Sequence, residues 1–351
     1  MDDEQWALAL SLDEEIEWQL RRFAKGTDPL PAQGILRGRL PEPEGGFQGA
    51  LQAQLNAALD QFRTKHPVEC ARVDTIGVSM IGLVDRPSGK LTNLARKNWG
   101  PEGSVIDFKA FLPALFPLIE QQFNKRPLDM NPPAINLHND CTAKCLAEFR
   151  ASRDEDDPPE SILYAMFSEG VNAAFVHDDV PLFTELHTEM GHIFPTPHPR
   201  DKRFNERLTG CPIHVRCYEG LASEKRFWTE WGPDWKSYDD ARELLAFYAA
   251  QMCYTGSLIF SPKRISLSIN RLDDELLDMI RQWFELFNSG GSTRRYLRYE
   301  AMSDLSTFIQ QARFPIEEAR IEGAIELARL AKEKASTALR DSWHGYRRLR
   351  G

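Results

Sequence analysis

The sequence contains no run of 18 or more apolar residues, which a membrane-spanning helix would need. It also lacks the basic start and apolar stretch of a secretory signal, since the chain opens on the acidic residues Met1-Asp2-Asp3-Glu4. Cysteine is sparse, with six in 351 residues, which excludes a disulfide-stabilised scaffold. We therefore expect a cytoplasmic protein with no membrane partner and with mostly reduced thiols.

The sequence also has no excess of basic over acidic residues. The chain carries 43 Lys plus Arg against 52 Asp plus Glu, which gives a net charge of −9. Because nucleic acids are bound by basic surfaces, this balance argues against nucleic acid as the main partner. The apolar content of 42% excludes a disordered chain, and the length suggests about two domains. Glycine, at 22 residues, is slightly below the average share, and its placement matters more than its number.

Strand-like and helix-like patterns alternate along the chain. Alternating apolar residues predict strands, and apolar residues at helical spacing predict helices. The predicted strands are 6–12, 16–23, 34–40, 74–83, 134–137, 161–167 and 173–177, and the predicted helices are 49–65, 107–123 and 142–150. This order is typical of α/β architecture, and the return of strands near residue 160 suggests a second, related half.

Cysteine and histidine are concentrated in one short stretch. Cys211, His214 and Cys217 stand three positions apart, so a tight loop can turn all three inward. With His192, 19 positions before Cys211, they would complete the four N and S ligands of a structural Zn²⁺ site. The alternative is that these are ordinary loop residues, and His198 is a rival ligand.

Two segments in this region carry a family resemblance. Residues 189–193 read EMGHI, and residues 211–223 read CPIHVRCYEGLAS. Together they resemble the ROK (repressor, open reading frame, kinase) family, above all its fructokinase branch. Weaker matches in the family's order cover residues 77–85, Asn139-Asp140 with Ala143, Ala147 and Glu148, residues 261–265 and residues 323–328.

The resemblance implies an actin-like, hexokinase-type (ribonuclease H-like) fold of two α/β domains with a sugar-binding cleft between them. The N-terminal domain would comprise residues 1–138, completed by a C-terminal helix at about 316–335. The C-terminal domain, with the zinc loop, would comprise residues 139–315. A homodimer is also implied by the resemblance.

The resemblance assigns roles in a sugar site. Asp140 matches the general base, a carboxylate that takes the proton of the attacking hydroxyl during phosphoryl transfer. Asn139 would contact the sugar, Glu189 and Glu219 match acceptors for sugar hydroxyls, and His192 would bind both zinc and sugar. The competing interpretation of Asp140 is a helix N-cap.

The three glycine-rich loops that bind ATP in this family are altered here. The first, Asp-x-Gly-Gly-Thr-Lys, reads Ser11-Leu12-Asp13-Glu14-Glu15-Ile16. The second, Gly-Thr-Gly-Val-Gly-x-Gly, reads Ser168-Glu169-Gly170-Val171-Asn172-Ala173-Ala174. The third, Gly-Gly-Gly-Val, reads Ser268-Ile269-Asn270-Arg271-Leu272.

These changes argue against ordinary Mg-ATP binding. Glycine lets backbone N–H groups approach phosphate, and a side chain blocks that approach. A carboxylate about 4 Å from a phosphate charge costs about 4 kcal/mol at an effective dielectric constant near 20. We therefore expect a pseudokinase or sensor that binds a hexose-like ligand. The alternatives are an active fructokinase-like kinase with Asp140 as base, or different chemistry on a sugar-like or cyclitol substrate using Asp140, Glu189 and Glu219.

Overall fold

The structure is a computed structural model that describes residues 4–12, 16–24, 36–40, 73–85, 90–92, 106–107, 134–182, 188–202, 210–211 and 213–331. The predicted helix at 49–65 and almost all of the one at 107–123 lie outside the described residues. So do Asp13, Glu14 and Glu15 of the first altered loop, and the last four residues of the helix predicted at 316–335.

The chain divides into two compact units, one formed by Met1–Ala143 with Arg320–Gly351 and the other by Lys144–Ala319. The described strands of the first unit are β1 (Glu4–Leu12), β2 (Ile16–Ala24), β3 (Leu36–Leu40), β4 (Val73–Met80), β5 (Leu83–Asp85), β6 (Lys90–Thr92), β7 (Ile106–Asp107) and β8 (Ala134–Asn139). Helix α1 (Asp140–Ser152) begins in the first unit and ends in the second.

The strands of the second unit are β9 (Ser161–Phe167), β10 (Val171–His177), β11 (Val180–Pro181), β12 (Arg264–Ile269) and β13 (Ile309–Gln311). Its helices are α2 (Tyr218–Ala222), α3 (Glu224–Trp231), α4 (Asp239–Phe260), α5 (Asp274–Ser289) and α6 (Leu305–Phe308). Short 3-10 turns lie at Met190–His192, Trp235–Ser237 and Glu300–Met302. The last described helix, α7, covers residues 316–331.

The two five-stranded sheets share one topology. Their strand orders are β3-β2-β1-β4-β8 and β11-β10-β9-β12-β13. In each sheet the first two pairings are antiparallel and the last two are parallel. The predicted α/β architecture with two related halves is therefore confirmed. The strand predicted at 74–83 is two strands, because the chain turns at Gly82, whose φ is 108°.

The first sheet is covered on one face by α7. Small residues on both elements permit this close approach, and the buried cluster consists of Ala7, Ala9, Ile321, Ala324, Ile325 and Ala328. A Cβ atom on Gly77 of β4 would lie 1.8 Å from the Ala324 carbonyl oxygen. Arg21 on β2 also donates two hydrogen bonds to the Glu322 carboxylate, at 2.5 and 2.7 Å.

The second sheet is buried more deeply. Every residue of β9 is buried, which explains its uninterrupted apolar run. Helix α4 packs against this sheet so tightly that a Cβ atom on Gly256 would lie 2.3 Å from a Leu163 methyl carbon. Although α4 is 22 residues long, no helix among the described residues is both long and apolar enough to cross a bilayer.

We predict that Gly77→Ala destabilises the protein by about 1–3 kcal/mol, because the added methyl group overlaps the α7 backbone. Urea denaturation measures the change in the free energy of unfolding. Gly290→Asn is the control, since Gly290 has a φ of 58°, which asparagine tolerates, and has no neighbour within 4 Å of its Cβ position. Equal stabilities of the two variants would contradict the packing argument.

Candidate functional site

The four predicted metal ligands lie together in the second unit. His192, Cys211, His214 and Cys217 each offer one ligand atom, and these atoms all lie within 4.8 Å of one another. His192 comes from the 3-10 turn at Met190–His192, and Cys217 is the N-cap of α2. The loop between them supplies the other two ligands.

The spacing of these atoms matches a tetrahedral zinc site. Bond lengths of about 2.0 Å to nitrogen and 2.3 Å to sulfur put two nitrogen ligands about 3.3 Å apart and a nitrogen and a sulfur about 3.6 Å apart. Here Nδ1 of His192 lies 3.3 Å from Nδ1 of His214. It lies 3.7 Å from the Cys211 sulfur and 3.8 Å from the Cys217 sulfur. The residues present therefore fit Zn²⁺.

The surroundings favour a thiolate at Cys211, whereas the hydrogen bond with Cys211 and burial raise the pKa of Cys217. The backbone N–H of His214 donates to the Cys211 sulfur at 3.2 Å, and that of Gly220 donates to the Cys217 sulfur at 3.4 Å. Hydrogen bonding with Cys217 and then with His192 lowers the pKa of Cys211. A thiolate is the form of cysteine that binds a metal.

The predicted sugar ligand Glu189 lies on the other side of the His192 ring. Its carboxylate is 3.6 Å from Nε2 of His192, while Nδ1 of the same ring faces the sulfurs. A carboxylate at the second nitrogen of a ligating histidine fixes the orientation and tautomer of the ring. The rival ligand His198 is not in the metal group, because its ring packs against Phe247 and Trp283.

Glu219, the second predicted sugar ligand, is only 2% exposed and follows the metal ligand Cys217 by two positions. Its carboxylate accepts the backbone N–H of Val171 at 3.3 Å. Val171 begins β10 and is the fourth residue of the second altered loop. The Glu219 side chain is therefore held by the same hairpin that carries this loop.

Asn139 and Asp140 lie in the first unit, at the end of β8 and the start of α1. The backbone N–H of Thr142 donates to Oδ1 of Asn139 at 3.0 Å, so Asn139 is the side chain that caps the helix. Asp140 is the first residue of the helix itself. The N-cap interpretation therefore does not account for Asp140.

The altered loops follow strand ends, as the sequence predicts. Ser11 is buried in β1, where it pairs with Glu17 of β2 and Ser79 of β4. The second loop, Ser168 to Gly170, closes the β9–β10 hairpin, and its Ser168 N–H donates to the Gly170 carbonyl at 2.9 Å. That N–H group is therefore already used within the loop.

The third altered loop follows β12 and keeps a backbone shape that favours glycine. Arg271 has a φ of 53°, in the left-handed region. Asn270 precedes it and hydrogen-bonds to the side chain of Glu224. A residue other than glycine therefore occupies a position whose backbone conformation favours glycine.

Glu224 is a residue of this region that the sequence analysis missed. Its N–H donates to the Ser168 carbonyl at 2.8 Å, and its carboxylate lies 3.7 Å from Nζ of Lys236. Burial raises the pKa of Glu224, and the nearby charge of Glu169 raises it further. Glu224 thus connects the second loop, through its backbone, to Asn270 of the third loop, through its side chain.

Comparisons with known proteins agree with these assignments at the level of family and fold. The sequence model described as "ROK family" matches residues 48–285. A fructokinase from Zymomonas mobilis is 34% identical over 249 residues, which cover 67% of this chain and 74% of that protein. A fructokinase from Pediococcus pentosaceus is 27% identical over 286 residues, covering 79% of this chain and 86% of that protein.

Solved structures show the same fold at low identity. A ROK hexokinase from Thermus thermophilus is similar with a TM-score of 0.62 at 19% identity, covering 94% of this chain and all of that one. A ROK family glucokinase from Streptomyces griseus, in complex with glucose and AMPPNP, is similar with a TM-score of 0.58 at 15% identity, covering 93% and 99%. The predicted fold class is thereby confirmed.

We predict that the purified protein binds one Zn²⁺ per chain and that Cys217→Ser reduces this content to a small fraction. Removing one of four ligands leaves an incomplete tetrahedral set. Metal analysis by mass spectrometry after desalting measures the zinc content. Cys253→Ala is the control, because Cys253 is buried in α4 and is not in the metal group. Zinc retention in Cys217→Ser would refute the metal site.

Proposed function

The chain belongs to the ROK family and is homologous to its sugar kinases, and we propose that it binds a hexose-like sugar and is impaired in ordinary use of ATP. The resemblance read from the sequence is thereby confirmed at the level of the family. The structural Zn²⁺, the homodimer and the cytoplasmic location implied by the sequence are part of the same proposal.

The sugar side of the proposal is supported by a nearly complete set of polar groups. Asp140 would take the proton of a sugar hydroxyl, and its place at the start of α1 is not explained by capping, which Asn139 performs. Glu189 and Glu219 would accept hydroxyl hydrogen bonds, since each ionised carboxylate has two acceptor oxygens. The fructokinases that the chain resembles have names that point to a hexose.

Bound zinc would be held by His192, Cys211, His214 and Cys217, and it would stabilise their loop as a closed structural site. The metal ligands would also orient the residues proposed to bind the sugar. With Nδ1 of His192 on the metal side, Nε2 is directed toward Glu189 and can meet a hydroxyl there. Glu219 is carried by the helix that begins after Cys217.

The observation that carries the argument about the phosphoryl donor is the proximity of two acidic side chains, Glu169 of the second loop and Glu224 at the start of α3. Glu169 and Glu224 are close enough that the negative charge of Glu169 raises the pKa of Glu224. Glu224 is half-buried, where solvent screens charge less than at the surface. A polyphosphate brought to these loops would meet both carboxylates and a Ser168 N–H that is already bonded.

One observation favours the second candidate, an active kinase with a changed donor site. Lys236 and Arg271 lie near each other beside the third loop, and the charge of Arg271 lowers the pKa of Lys236 after burial has done so. Two such cations could hold a phosphate group. Nζ of Lys236, however, lies 3.7 Å from the Glu224 carboxylate and forms an ion pair with it. Arg271 is therefore the less committed cation, the one more available to a phosphate group.

Calorimetric titration tests the proposal directly. We expect heat of binding from a hexose among fructose, glucose and mannose, and none from Mg-ATP at concentrations that saturate ordinary kinases. Hexose-dependent release of ADP would contradict the impairment and favour the active kinase. In that case Asp140→Asn should reduce turnover by about 10²–10⁴-fold, because it removes the general base.

A second prediction concerns these two acidic side chains, Glu169 and Glu224. Glu169→Gln and Glu224→Gln remove one negative charge each while keeping side-chain size, so each should strengthen Mg-ATP binding by about tenfold or more, equivalent to about 1.4 kcal/mol. Glu275→Gln is the control, since Glu275 is an exposed acid of the same unit that pairs with Arg242. Equal Mg-ATP affinities in all three variants would remove the electrostatic argument, while hexose affinity should stay constant throughout.

A further inference from the structure

A fully buried ion pair lies beside the metal group without forming part of it. Asp201 and Arg226 are joined at 2.7 Å, and both side chains are 1% exposed. The hydroxyl of Tyr248 on α4 donates to the second Asp201 oxygen at 2.7 Å. Burying two charges is costly unless the geometry and the additional hydrogen bonds are good, so this cluster needs a reason to be there.

The cluster connects the two chain segments that leave the metal ligands. Asp201 lies nine positions after His192, and Arg226 lies nine positions after Cys217. Arg226 also donates to the Leu221 carbonyl at 2.6 Å, within the helix that begins after Cys217. The ion pair therefore ties the segment after one ligand to the helices after another.

Two further hydrogen bonds also hold the segment that follows His192. The N–H of Tyr218 donates to the Ile193 carbonyl at 3.0 Å, which joins the residues directly after Cys217 and His192. The N–H of His198 donates to the Tyr248 hydroxyl at 3.3 Å. The segment after His192 is thus held at both ends, close to the metal ligands by Tyr218 and at Asp201 by the buried cluster.

We propose that Asp201, with Arg226 and Tyr248, is a positioning residue of the metal centre: it holds the His192 segment against the helices that follow Cys217, so that the ligand atoms keep bonding distance. None of the three touches a ligand atom, and their effect is transmitted through the backbone of these segments. The proposal rests on the metal site but not on the sugar or ATP assignments.

The test is the rate at which zinc-loaded protein transfers its metal to a chromogenic chelator. Asp201→Asn should release zinc about tenfold faster or more, in the range found when groups that orient metal ligands are removed. Tyr248→Phe removes one hydrogen bond to Asp201 and keeps the ring, so it should give a smaller acceleration. Glu155→Gln, which alters an ion pair with Arg264 elsewhere in the same unit, is the control.

The release rates are compared with the thermal midpoints of the same variants. Faster zinc release in Asp201→Asn and Tyr248→Phe, with the wild-type rate in Glu155→Gln whatever its stability, supports the positioning role. Unchanged release in Tyr248→Phe and Asp201→Asn overturns it, and so does equal acceleration in Glu155→Gln. If Asp201→Asn does not fold, the zinc-release rate of Tyr248→Phe alone tests the positioning role. Wild-type protein without zinc overturns the metal site as well.

Discussion

Two thiols and two imidazoles converge on a space with the dimensions of one metal ion, and the positions of the two carboxylates proposed to bind sugar depend on that convergence. Among the described residues from Glu189 to Cys217, the 3-10 turn at Met190–His192 is the one regular element, so few backbone hydrogen bonds fix the ligands. A bound cation would supply stability that a hydrophobic core cannot supply there. Glu189 is three residues before His192 and Glu219 two residues after Cys217, so both carboxylates are positioned from metal ligands.

The same hairpin serves the sugar residues and the altered second loop. Asn172, which stands where the family has glycine, accepts the N–H of Gly191 at 3.5 Å and donates to the Thr188 carbonyl at 3.0 Å. The backbone N–H of Val171 donates a hydrogen bond to the Glu219 carboxylate. A glycine at position 172 could make none of the side-chain bonds, so the replacement contributes to holding the segment that carries Glu189 and His192. The loss of glycine here has a structural use.

Local signals in the sequence were enough for much of the fold. Period-two alternation predicted β1 and β2, the run at 161–167 predicted β9 as a strand, and the three-residue spacing of Cys211, His214 and Cys217 predicted the metal group. Helix α5 was not predicted, although Leu276, Leu277, Ile280 and Phe284 form an amphipathic stripe that could have revealed it. Helix α4 gives a weaker signal because it is buried around most of its circumference.

What the sequence could not reveal were contacts between residues far apart in the chain. Glu224 and Lys236 are ordinary surface residues by pattern, and only the folded loops bring Glu224 to Asn270 and Glu169. Asp201 and Arg226 are 25 positions apart, and neither belongs to a motif that the sequence analysis found. Asn139 could be recognised as the cap only once the first residue of α1 was known, since capping depends on one position.

The charged residues around the second and third loops affect how a phosphoryl donor such as Mg-ATP could be bound. Glu169, Glu224 and Asp273 are acidic, and Lys236, Arg242 and Arg271 are basic. Two of the three basic groups are already matched, since Arg242 binds Asp273 and Glu275 and Lys236 faces Glu224, and Arg271 is the less committed cation.

Mg-ATP is an anion, and a surface that attracts it needs unmatched positive charge. Binding it through Lys236 or Arg242 would require an existing ion pair to break, so the cost would include the lost pair as well as the repulsion. A neutral sugar meets no such cost, because carboxylates are good hydrogen-bond acceptors for its hydroxyls. This difference is the physical basis of the proposal that the protein binds a sugar and is impaired in ordinary use of ATP.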